Sequence, residues 1–72
     1  TGLADTTAAP SDQHRFAVLA CAAGSTVERH YYANVDHAGT TTASQPDSIP
    51  FARKVLAGQP VASNCDSLVP PK

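Results

Sequence analysis

Cys21 and Cys65 are the only cysteines in this chain of 72 residues. A bond between them closes a loop that holds most of the sequence, and no other feature restricts the accessible folds as strongly. The pair lacks the Cys-x-x-Cys spacing of a redox motif, and with three scattered histidines it does not match a zinc-finger pattern. A structural disulfide is therefore expected. It places the chain in an oxidising compartment, secreted and extracellular. The sequence opens on Thr1 and contains no methionine, which fits a mature chain left after removal of a signal peptide.

The crosslink matters because there is little else to hold the chain together. Leu, Ile, Val and Phe together number 13, and alanine supplies another 13 residues that each bury little area. The large side chains available for a core are Phe16, Val18, Leu19, Val27, Tyr31, Val35, Ile49, Phe51, Val55, Leu56, Val61 and Leu68. Net charge is -1 and Arg53-Lys54 is the longest basic run. That argues against a nucleic-acid surface and against a cationic membrane-active helix. The longest apolar run, Phe16 to Ala23, is too short to cross a bilayer, so membrane insertion is not expected.

Residues 1–11 read as a flexible tail, rich in Gly, Thr, Ala, Asp and Pro, and residues 12–72 as a single small disulfide-linked domain. The segment from Gln13 to Ala23 carries two periods at once. Phe16, Leu19, Ala20 and Ala23 fit a helix, which Ser11 would cap and Gly24 would end. Phe16, Val18, Ala20 and Ala22 alternate as in a strand. The strand is preferred, because Ala23-Gly24-Ser25 then turns into Thr26 to Val35, the best strand sequence in the chain. Asp36 to Gly39 reads as a turn and the threonine-rich Thr40 to Ser44 as a third strand. Helix punctuation is clearest from Asp47 to Gly58: Asp47 or Ser48 as cap, Pro50 in the first turn, and Gly58 then Pro60 as the stop. Val61 to Val69 returns as an extended segment. The fold expected is α+β, a small antiparallel sheet of 3–4 strands with one short helix near Phe51–Ala57 and a single disulfide. An all-β small sandwich is the alternative.

Glu28-Arg29-His30-Tyr31-Tyr32 is the stretch with the most chemistry. On extended backbone alternate side chains share a face, so Glu28, His30 and Tyr32 fall together at steps of roughly 7 Å. A carboxylate, an imidazole and a phenol can run acid–base chemistry, and these three are the weak catalytic candidates. In residue kinds alone the trio is similar to what microbial ribonucleases carry on a sheet; no ribonuclease motif accompanies it. Tyr31, Tyr32 and Arg29 are the candidate binding residues, tyrosine and arginine being enriched at interfaces. His30, Asp36 and His37 lack the short ligand spacing of a dedicated metal site, and neither a nucleophile elbow nor a glycine-rich phosphate loop is present, so no metal and no cofactor is expected. Taken together, these features lead to a small secreted binding module of effector, toxin or inhibitor type that docks onto a macromolecule of a host or competitor, a protein partner being expected. Domains of this size seldom enclose a catalytic cleft, which weighs against an enzyme. A small secreted hydrolase of nuclease type using Glu28 and His30, and a processed subunit of a larger secreted precursor, are the alternatives.

Overall fold

The computed structural model describes residues 1–71. It contains three α-helices and, among the described residues, no sheet. They are α1 (Pro10–Ala22), α2 (His37–Ala43) and α3 (Gln45–Leu56), followed by a 3-10 turn at Cys65–Ser67. The α+β expectation and its all-β alternative are both overturned.

Helix α1 replaces the first expected strand. Pro10 stands at its first turn, where the missing N–H costs nothing. At the other end Gly24 takes φ +92°, and the Ser25 and Gly24 amides donate back to the carbonyls of Ala20 and Cys21. This is a Schellman stop, not a hairpin turn. A glycine at positive φ serves either, which is why the local sequence does not separate them. Helix α2 replaces the expected third strand. Asp36 caps it, its Oδ1 accepting the Gly39 amide at 2.7 Å while its carbonyl accepts the Thr40 amide. The cap outweighs the β preference of three threonines.

Helix α3 follows after Ser44 alone and covers much of the expected helix, but begins at Gln45, upstream of Asp47. Pro46 lies in its first turn, and Pro50 sits inside the helix, where one ladder hydrogen bond is absent. Gly58 at φ +69° closes it with a second Schellman stop, Gln59 donating to Lys54 and Gly58 to Val55.

The segment expected as the main strand carries no ladder and turns at Ala33-Asn34, where Asn34 takes φ +60°. It runs between two backbone clamps. On one side Thr1 to Ala4 lies alongside it: Leu3 donates to Tyr32, Ala4 to Val35, and Tyr32 to Thr1. Here Gly2 forms an isolated parallel bridge with Tyr32. On the other side Asn64 donates from its backbone to Val27 and from its side chain to the Arg29 carbonyl, while its Oδ1 accepts the Arg29 amide. Cys65, the next residue, is bonded to Cys21 at the end of α1, with the two Cα atoms 5.8 Å apart.

The expected core does not assemble. Ala17 is the only buried apolar side chain among the described residues; Phe16 is 74% exposed and Leu56 87%. Val18, Leu19, Ile49 and Val55 are exposed too, and lie on α1 and α3. The best-buried polar residue is Asp5, which accepts the amides of Thr7 and Ala8 and a hydrogen bond from His37 Nδ1 at 2.9 Å. These bonds to the carboxylate, with the Ala8 amide foremost, hold Asp5 below the usual carboxylate range.

Candidate functional site

Helices α1 and α3 stand on either side of a cleft of about 550 Å³, with the extended residues 27–32 along it. Phe16, Ala17 and Ala20 of α1, Phe51 of α3 and Val27 make its walls apolar. Its volume falls within the roughly 300–1,000 Å³ of ligand-sized clefts.

The polar end of the cleft is built by Glu28, His30, Tyr32 and Asp47. His30 Nε2 lies 2.9 Å from Glu28 Oε2, and its Nδ1 faces Asp47 Oδ2 at 3.9 Å. The Tyr32 hydroxyl donates to the same Asp47 oxygen at 2.6 Å. The alternation read from the sequence therefore holds: Glu28, His30 and Tyr32 do share a face, although no sheet carries it. Asp47 joins them from the first turn of α3. Sequence analysis gave Asp47 only a capping role. Nothing in its neighbourhood signals a contact with a residue 15 positions earlier.

Burial first, and then the hydrogen bond and charge of Asp47, push the Tyr32 phenol up to about 12. Tyr32 thus stays neutral and donating at physiological pH. The His30 ring lies between two carboxylates, with Nε2 on Glu28 and Nδ1 toward Asp47.

Arg29 also lines the cleft with its guanidinium already engaged, while Tyr31 goes elsewhere. The Arg29 guanidinium carbon lies 4.6 Å from the centroid of the Tyr31 ring, a cation–π contact. Its Nη2 donates to Thr1 Oγ1 and the Pro10 carbonyl, and its Nη1 is covered without a partner. The Tyr31 hydroxyl donates to the Val69 carbonyl. The three residues singled out for binding are therefore split, with Tyr32 in the cleft and Tyr31 tied to the C-terminal segment. His30, Asp36 and His37 are separated as well: His30 pairs with Glu28, Asp36 caps α2, and His37 pairs with Asp5. Among the described residues no three His, Cys, Asp or Glu side chains converge as metal ligands. Among the described residues no helix is long and apolar enough to cross a membrane. No protein-family model matches the chain, and no curated protein or solved structure is significantly similar to it.

Proposed function

We propose that the chain is a small secreted binding module that docks onto a protein partner through the apolar flanks of α1 and α3. Its surface area is the observation that carries this reading. The chain exposes 5008 Å². A folded monomer of 7.4 kDa is expected to expose about 4,200 Å². The excess, about 800 Å², equals the share that one partner contributes to a standard protein interface. Phe16, Leu19, Val55 and Leu56 are among the large apolar side chains left exposed on α1 and α3. Patches of this kind mark contact surfaces. The disulfide supports an extracellular setting.

The test compares partner capture by the wild-type chain with capture by a Leu19→Asp, Leu56→Asp double variant. Both positions are exposed, so the circular dichroism melt should not move. The wild type should retain a discrete partner that the variant loses. Equal recovery by the two baits would overturn the docking reading.

A second reading, a small hydrolase of nuclease type, draws support from the Glu28–His30 contact at the edge of the cleft. Of the cations nearby, Arg29 is engaged by Thr1 and Pro10, whereas Lys54 lines an adjoining pocket with Glu28, His30 and Asp47. Incubation of RNA with wild type and His30→Ala separates the readings: cleavage by the wild type alone favours the enzyme, and two inert samples remove it.

A further inference from the structure

We infer that the partner inserts one lysine or arginine side chain, carried on an apolar surface, into the cleft between α1 and α3, and that Glu28 and Asp47 receive its charged head. The inference rests on the docking reading and specifies the chemistry of the partner.

The walls suit the stem of such a side chain. Phe16, Ala20, Val27 and Phe51 offer hydrocarbon to the methylenes of Lys or Arg, which pack along apolar surface while the head seeks polar groups. The polar end suits the head. Glu28 and Asp47 each have one oxygen engaged, by His30 and by Tyr32. Their second oxygens, Oε1 and Oδ1, accept no hydrogen bond among the described residues. The 3.9 Å between His30 Nδ1 and Asp47 Oδ2 is too long for a direct hydrogen bond. Two carboxylates, each with one oxygen unengaged, and aromatic walls form an acceptor-rich pocket for a cation.

An anionic occupant does not fit. Both cations along the cleft are engaged: Arg29 has Nη2 committed to Thr1 and Pro10 and its Nη1 covered, and the Thr1 ammonium donates to the His30 carbonyl at 2.8 Å. Asp12, also at the rim, adds a third carboxylate, paired on the outside with Arg15 at 3.3 Å. The surplus surface of the chain supplies the flat apolar contact around the anchor. Arginine is prominent among the central, desolvated residues that dominate such interfaces.

The experiment uses side-chain mimics on the whole oxidised chain. Backbone amide shifts are followed by NMR during titration with n-butylguanidinium, n-butylammonium, n-butanol and butyrate. The two cations should bind about tenfold tighter than butanol, the scale of a charge-assisted contact, and should move the amides of Val27, His30 and Phe51. Butyrate should bind no better than butanol. In Glu28→Gln, whose side chain is partly exposed, the advantage of the cations over butanol should shrink, and in Glu28→Gln, Asp47→Asn it should vanish while butanol binding persists. Persistence of butanol binding also reports that the cleft is still folded. Equal affinities for cation and alcohol in the wild type, or a preference for butyrate, would overturn the inference. The docking reading is judged separately by the Leu19→Asp, Leu56→Asp baits: loss of the partner there without cation selectivity in the cleft overturns this inference alone.

Discussion

Reduction of the Cys21–Cys65 bond should cost this chain most of its stability. The cysteines are 44 positions apart, so the bond closes a loop of about 45 residues. The restriction this places on the unfolded chain amounts to about 4 kcal/mol at 25 °C. A typical domain has about 5–15 kcal/mol in all, and one of this size lies toward the low end because it buries so little of its surface. Ala17 alone is a buried apolar side chain among the described residues, so packing does little to make up the loss. What remains across the loop is polar: the Asn64 clamp on Val27 and Arg29, and the Tyr31–Val69 hydrogen bond. At about 4–8 °C per kcal/mol for a chain of this length, the midpoint of thermal unfolding should fall by roughly 15–30 °C. Circular dichroism at 222 nm, which follows α1 to α3, measures it with and without a phosphine reductant, and Cys21→Ser, Cys65→Ser should coincide with the reduced curve. Midpoints of oxidised and reduced protein within about 5 °C of each other would refute the reasoning, because the rest of the structure would then be self-sufficient.

Asn64→Ala removes both side-chain hydrogen bonds to the Arg29 backbone and leaves that half-buried amide unpaired; a loss of about 1–3 kcal/mol is expected from urea unfolding, and an unchanged midpoint would show that the clamp is dispensable. Gly2→Ala should destabilise as well, since a Cβ there would meet the Val35 carbonyl and come within 2.5 Å of Thr40 Oγ1; a melt matching that of wild type would mean that Thr1 to Ala4 does not hold the position described. For Tyr32, folding raises the phenol from 10.0 to about 12, so its contribution to stability is complete below pH 10 and is lost as pH rises toward 12. Tyrosinate absorbance at 295 nm should show a step near pH 12 that Tyr32→Phe abolishes and Asp47→Asn moves down; a step unmoved by Asp47→Asn would separate the phenol from that carboxylate.

The crosslink and the shared face of Glu28, His30 and Tyr32 were legible for different reasons. Two cysteines admit one intrachain pairing, so no geometry was needed. The shared face follows from extended backbone itself, whose side chains alternate with or without a neighbouring strand. For the same reason that face does not testify to a sheet. The helices were obscured where one signal serves two structures. Phe16 to Ala23 satisfies a period of 2 and one of 3.6, and Gly24 suits a hairpin as well as a Schellman stop. At Thr40 to Thr42 the side chains favour strand, and a single capping residue, Asp36, decides for helix. The cleft could not be read locally, because Asp47 and Phe51 reach Glu28 and His30 only through the placement of α3. Nor could the missing core: a count of apolar residues reports what can be buried, and here most of it remains on the outside of α1 and α3.

The apolar faces and the crosslink belong to one arrangement. A chain that leaves Phe16, Leu19 and Leu56 in solvent has forgone the burial that normally orders a domain. It must order the cleft by other means. The extended segment is therefore held at its backbone from both sides, by Thr1 to Ala4 and by Asn64, so that alternate side chains can project without being packed. The Asn64 side of that support is fixed by Cys65, the adjacent residue, through its bond to the end of α1. Covalent and backbone bonds thus do the work that packing does elsewhere, and many of the apolar side chains of α1 and α3 stay exposed. The Cys21–Cys65 bond, remote in sequence from Glu28, in this way holds the segment that carries this carboxylate close to the end of α1.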